Sequence, residues 1–315
     1  MQPIIINTIF ILAGFICLIL GAEGLVRGGR SIGIRLGLTP LFIGLTIVAC
    51  GTSAPELVVS ISAALQGKGD ISVANIVGSN IFNIALILGI TALIAPIRVS
   101  LTVIRTDIPI MIVITMVAFW LIKGITISRI AGFFLAAGLV LYIALTYYLT
   151  IRVKSASLRA HEEEAEPSSS WGKDIAFILG GIALMVLGSN LLVDNVSMIA
   201  RVLGVSEAVI GLTVIATGTS LPELATSLVA ACRRQPDIAV GNVVGSNIFN
   251  ILGILGVTSL IAPLSAPGIS TVDISAMMLA AVILLPLAWT GMKIERWEGV
   301  LLLVGYGVYL WWLWP

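Results

Sequence analysis

Charge is scarce in this chain. Asp, Glu, Lys and Arg make up only 10% of its 315 residues, while 58% are hydrophobic and the mean hydropathy is +1.12. A soluble domain carries about 25% charged residues, so water is not the expected solvent. Histidine is nearly missing: the one copy, His161, lies in the polar stretch "SASLRAHEEEAEPSSSWG". There is no H-E-x-x-H pair, no Walker lysine motif and no histidine in an apolar run to serve as a base. The sequence therefore reads as a non-enzyme with no bound cofactor. Cysteine is limited to Cys17, Cys50 and Cys232, without C-x-x-C spacing, so neither a metal knuckle nor a redox pair is expected. These three read as small buried hydrophobes. A net charge of +1 without a basic cluster gives no sign of a nucleic-acid partner.

What is present is apolar length. Runs near or above the roughly 20 residues that cross a bilayer recur along the chain and predict an all-α integral membrane protein. About ten transmembrane helices are expected, at 4–24, 38–65, 71–96, 106–122, 130–150, 174–194, 207–232, 238–263, 272–290 and 297–314. The first lacks a basic n-region and a cleavage signal, so it reads as a retained helix. The acidic run at 152–171 reads as a solvated linker. It divides the chain into a five-helix repeat at 1–151 and a second at 172–315.

The halves are duplicated. Residues 44–97 align with 211–264 without a gap, and 33 of the 54 positions are identical. Five is odd, so corresponding helices enter the membrane from opposite sides, as two inverted-topology repeats with a site near the midplane between them. Of 17 basic residues, 13 fall on one predicted side, including Arg27, Arg30, Arg35, Arg152, Arg233 and Arg296; Lys68, Lys123, Arg129 and Arg201 fall on the other. The positive-inside rule then puts both termini outside and the linker in the cytoplasm of a plasma or bacterial inner membrane.

The duplication centres on "GTSAPE" at 51–56 and "GTSLPE" at 218–223. Glu56 and Glu223 fall near the middle of their spans, where an acidic residue costs about 2.5–3.5 kcal/mol. No Lys, Arg or His lies at comparable depth, so the compensating charge is expected from outside the protein, as a cation. A protonated, hydrogen-bonded carboxyl is the alternative, and it leaves the duplicated context unexplained. On a helix, Thr52 and Ser53 share a face with Glu56, and Thr219 and Ser220 with Glu223. Pro55 and Pro222 have no N–H, which loosens the carbonyls of Gly51 and Gly218 and predicts a kink. The next span repeats "VGSNIFN", at 77–83 and 244–250, placing Ser79 with Asn83 and Ser246 with Asn250, four residues apart. Every ligand on offer is oxygen, which suits Ca2+ with its six to eight oxygen ligands and also Na+, and argues against zinc or copper. Gly44, Gly78, Gly211 and Gly245 serve close packing at least as readily as ligation. Asn80 and Asn247 read as interhelical hydrogen-bonding residues, and Glu23 as the ion-pair partner of Arg27.

With "GTSAPE…GSNIFN" and "GTSLPE…GSNIFN" in view, the chain resembles the calcium/cation antiporter superfamily, specifically the prokaryotic sodium/calcium exchangers. The resemblance implies a secondary antiporter with Ca2+ and Na+ as substrates. Its ion-binding residues would be Thr52, Ser53, Glu56, Ser79 and Asn83 with Thr219, Ser220, Glu223, Ser246 and Asn250, joined by backbone carbonyls near Ala49 and Ala216. It also implies that the first and sixth helices slide across the rest. Some relatives carry aspartate where this chain has Asn83 or Asn250, so sodium stoichiometry and potassium co-transport do not carry over. The linker is too short for the calcium-sensing domains of animal exchangers. Calcium/proton exchange through the same glutamates stays open, as does the less favoured reading of a cation channel. A monomer in the lipid bilayer is expected.

Overall fold

The helices sort by which faces they hide. The computed structural model describes residues 2–124, 126–157, 170–203 and 216–313. The first half contains α1 (Gln2–Leu36), then α2 (Pro40–Thr52) and α3 (Ala54–Leu65) as a pair bent by 45°, then α4 (Gly69–Ile94), α5 (Val103–Lys123) and α6 (Arg129–Ser157). The second half contains α7 (Trp171–Val202), α8 (Leu221–Cys232), α9 (Pro236–Ile261), α10 (Thr271–Trp289) and α11 (Arg296–Leu313). Among the described residues seven helices are long and apolar enough to cross a membrane, or eight with the bent pair as one. The two other expected spans are α11, whose mean hydropathy is lowered by Arg296 and Glu298 in its first turn and by its tryptophans, tyrosines and glycines, and 207–232, of which 207–215 lie outside the described residues.

Helix ends differ from the expected spans because hydropathy marks where lipid ends, not where a helix stops. α1 continues past residue 24 through Arg27, Arg30 and Arg35, and ends at Gly37, whose φ of 67° closes the turn. α6 likewise runs on to Ser157, into the expected linker. The rest of that linker, His161 included, lies outside the described residues.

α4 and α9 are the core. Their most apolar stretches are 78% and 94% buried, against 22% for α6 and 28% for α7. Both carry large aliphatics buried all round, such as Ile76, Ile84, Ile87, Ile248 and Ile251. α1 instead turns Ile9, Leu12, Ile16 and Ile19 outward, the surface a lipid would cover.

The halves are related by a pseudo-two-fold that shows in matched contacts; across 44–97 each residue maps to its mate 167 positions on, as Glu56 does to Glu223. The short strand β1 (Ile97–Arg98) pairs antiparallel with β2 (Lys293–Ile294), bringing Ile97 to Ile294, and the mates Leu264 and Ile127 form an isolated bridge. Tyr142 donates to Asp107 and Tyr309 to Asp273, both at 2.9 Å. α1 and α7 cross antiparallel on glycine: a Cβ on Gly21 would sit 2.6 Å from the Gly181 carbonyl oxygen, and one on Gly14 would sit 2.9 Å from that of Gly188. No residue larger than glycine fits there without the backbones separating. Packing also explains Gly44 and Gly245, which press against the Ile238 and Leu45 backbones.

Two expectations fail here. Cys50 and Cys232 are exposed and Cys17 half-buried, because each falls on the outer side of its helix. Glu23 pairs with Arg233 at 2.9 Å, while the Arg27 guanidinium lies over the Phe177 ring; a residue 210 positions away outcompetes the neighbour one turn on.

Candidate cation site

The proline does more than kink the helix. α2 stops at Thr52, Ser53 leaves helical geometry (φ −82°, ψ 8°), and α3 starts afresh at Ala54 with Pro55 in its first turn. Ser220 repeats the break (φ −91°, ψ 6°) before α8, whose first turn holds Pro222. Proline is tolerated there because a first-turn N–H has no helical partner. Each glutamate thereby sits in the first turn of a new helix, where the positive end of the macrodipole favours a carboxylate. Both are buried, at 1% exposure.

The two motifs are knitted across the pseudo-two-fold. Ser53 Oγ donates to Glu223 Oε1 at 2.8 Å, and Ser220 Oγ donates to Glu56 Oε1 at 2.9 Å. Ser220 Oγ also lies 3.2 Å from Ser79 Oγ. Each serine thus serves the other repeat's glutamate. The second carboxylate oxygens, Glu56 Oε2 and Glu223 Oε2, are buried without a partner, as are Ser246 Oγ and both amide atoms of Asn83 and of Asn250. Buried polar atoms in native proteins are nearly always paired, so these unpartnered atoms, five oxygens and two amide nitrogens, single out their residues as candidates for a ligand. Among the described residues no basic side chain forms an ion pair with either glutamate.

Asn83 and Asn250 sit where their helices loosen. The chain winds into π-helix over Phe82–Leu88 and again over Phe249–Leu255, and over Gly44–Val48 ahead of the first motif. Such segments widen the backbone hydrogen-bond ladder and concentrate at functional sites. Ala49, whose carbonyl accepts from Thr52 Oγ1 at 3.2 Å, is buried there. Hydrogen bonds join Ser53 to Glu223, Ser220 to Glu56 and Ser79, and Thr52 and Thr219 to asparagines of the opposite repeat, while Asn83, Ser246 and Asn250 are buried with no side-chain hydrogen bond; for Ala216 only the helical backbone is described. The chemistry on offer is two carboxylates and neutral oxygens. An open cavity of about 410 Å³, lined by Pro55, Ser189, Asn190 and Thr219, reaches the site's edge.

Asn80 and Asn247 behave differently from the expectation. Asn80 Nδ2 turns back to its own helix at Ile76 O, 2.8 Å away, and Asn247 makes no hydrogen bond. The interhelical asparagines are instead Asn75 and Asn242, which sequence reasoning passed over. Each stands four residues before Ser79 or Ser246, so Asn75, Ser79 and Asn83 form one stripe of α4 and their mates one stripe of α9. That i, i+4, i+8 spacing, repeated in both halves, was the available signal.

The sodium/calcium exchanger protein family profile matches residues 6–151 and 173–314. CaxA of Alkalimonas amylolytica, a candidate antiporter, is 40% identical over 96% of this chain and 97% of its own length. The sodium/calcium exchanger MaX1 of Methanosarcina acetivorans is 33% identical over 98% of both chains. A solved structure of the sodium-calcium exchanger NCX_Mj, soaked with Na+ and Sr2+, superposes with a TM-score of 0.82 at 33% identity, covering 96% of this chain and 97% of that one. By profile, relatives and architecture together, this chain belongs to the sodium/calcium exchanger protein family.

Proposed function

We propose that the chain is a secondary antiporter exchanging Ca2+ for Na+ by alternating access, with the ion held between Glu56 and Glu223. The observation that carries this reading is the pair of buried glutamates, each with one oxygen partnered across the repeats and the other free. One Ca2+ neutralises the two carboxylates, and so do two Na+. A cavity against one side of the site is what alternating access requires of either end state. Purified protein in proteoliposomes is expected to take up calcium against an imposed outward sodium gradient. Uptake driven by a proton gradient instead would overturn sodium coupling, and flux with neither gradient would indicate a channel.

A second expectation rests on the family resemblance more than on the charge count. With asparagine at 83 and 250 the site carries at most two negative charges, so a third sodium leaves the loaded site positive. Exchange of three sodium ions per calcium moves net charge, worth about 2.3 kcal/mol per elementary charge per 100 mV. Sodium-driven calcium flux is expected to change between valinomycin-clamped potentials; identical flux would mean an electroneutral cycle of two for one.

We also propose that the termini lie outside and the 152–171 linker inside, from the distribution of basic residues. In a background with Cys17, Cys50 and Cys232 replaced, Gln66→Cys is expected to label from outside and Arg296→Cys from the cytoplasm. Labelling of both from one side would remove the inverted topology.

A further inference from the structure

The stripe residues Asn75 and Asn242 are placed unlike any ligand candidate. Asn242 on α9 is fully buried. Its Nδ2 donates to the backbone carbonyl of Glu223 at 3.2 Å and to Ser227 Oγ at 2.9 Å, and its Oδ1 accepts from Thr52 Oγ1 of the other repeat at 3.1 Å. Asn75 on α4 repeats the set: Nδ2 to the Glu56 carbonyl at 3.2 Å and to Ser60 Oγ at 2.9 Å, with Oδ1 facing Thr219 Oγ1 at 3.4 Å. A carbonyl only accepts, so the contact to Glu223 O fixes the NH2 on that side and turns Oδ1 toward Thr52.

The consequence lies in one proton. Thr52 has a single hydroxyl hydrogen and two acceptors at hydrogen-bond distance, the carbonyl of Ala49 at 3.2 Å and Asn242 Oδ1 at 3.1 Å, with the Glu223 carboxylate also beside it. A hydrogen directed at Ala49 occupies the very carbonyl that faces the break. A hydrogen directed at Asn242 leaves that carbonyl accepting only the Ser53 N–H, at 3.0 Å, with its second lone pair open, and leaves the Thr52 lone pairs turned away from the asparagine. A cation beside Ala49 and Thr52 needs the second arrangement.

We propose that Asn242, with Asn75 as its pseudo-symmetric mate, is a positioning residue that takes the threonine hydroxyl hydrogen and so presents the Thr52 oxygen and the Ala49 carbonyl to the cation. The proposal rests on the antiport reading above. In the same stroke the amide ties each glutamate's backbone to the opposite repeat, so the half-sites move together.

The test is a double-mutant cycle on the full chain in detergent and in proteoliposomes, with CaCl2 as the titrant. Asn242→Ala is expected to weaken calcium binding, and raise the half-saturating calcium of exchange, about tenfold (~1.4 kcal/mol), with the maximal rate within about twofold. Thr52→Val should lose a similar amount, and Thr52→Ser, which keeps the hydroxyl, should stay near wild type. The double variant Thr52→Val/Asn242→Ala should be no weaker than the poorer single, because both remove one contact. Additive losses of about a hundredfold, or a fall in maximal rate with affinity unchanged, would overturn the positioning role and leave Asn242 as support for the helix break. Should Asn242→Ala not be recovered folded, Asn75→Ala with Thr219→Val reads the same contact from the other repeat. Wild-type protein that binds no calcium overturns the antiport reading and this one with it. Wild-type binding with Asn242→Ala unchanged overturns this one alone.

Discussion

Replacing either Glu56 or Glu223 with glutamine is expected to abolish calcium exchange while leaving insertion and folding intact. The amide keeps one oxygen able to accept from Ser220 or Ser53, so the link between repeats survives. It replaces the partnerless carboxylate oxygen with an NH2 that donates and repels a cation. Two unit charges 4 Å apart interact by about 4 kcal/mol at an effective dielectric of about 20, and a divalent ion doubles that. Since about 1.4 kcal/mol is a factor of ten, affinity should fall by about a thousandfold or more even after relaxation. The fold is spared because an unpaired charge at membrane depth is itself costly, and its removal costs the apo protein nothing. Calcium uptake into proteoliposomes, with size-exclusion profiles of each variant as the folding control, checks this. Wild-type rates from either variant would remove the shared site.

Gly21→Leu is expected to be nearly as severe by a different route. The place of its Cβ lies 2.6 Å from the Gly181 carbonyl and 2.9 Å from the Met185 nitrogen, both backbone atoms of α7. A flexible side chain would yield; a packed helix does not, and overpacking of this kind costs about 1–3 kcal/mol or more. The two helices must part, and in the proposed cycle their close backbone approach would carry α1 and α7 over the core as one body. Exchange is expected to fall at least about tenfold and the thermal midpoint to drop by several degrees. Gly180→Leu, next to Gly181 but with no atom within 4 Å of its Cβ position, should change neither. Equal effects at 21 and 180 would show that the glycine contact is not what couples these helices.

Much of this was written in the sequence. Scarce charge and long apolar runs dictated the solvent. A gapless 33-in-54 identity between halves dictated the duplication, and an odd span count its inversion. Glutamates at mid-span with no basic residue at that depth pointed to a cation, the reading on which the proposed function rests. These conclusions need only composition, periodicity and arithmetic, quantities that do not depend on which residues end up touching.

The tertiary structure decided whatever depends on contact between distant segments. Sequence placed Ser53 beside Glu56, three residues on; the fold gives its hydroxyl to Glu223, because the break at Ser53 turns it toward the other repeat. Glu23 likewise leaves Arg27 for Arg233. Asn75 and Asn242 were visible as repeated letters, yet their hands, one holding their own repeat's glutamate and the other the opposite threonine, exist only once α4 and α9 lie buried against both motifs. A duplicated sequence says that each half-site has a twin. Which atoms the twins exchange is fixed by the pseudo-two-fold that packs them, and no pattern along one chain encodes that operation.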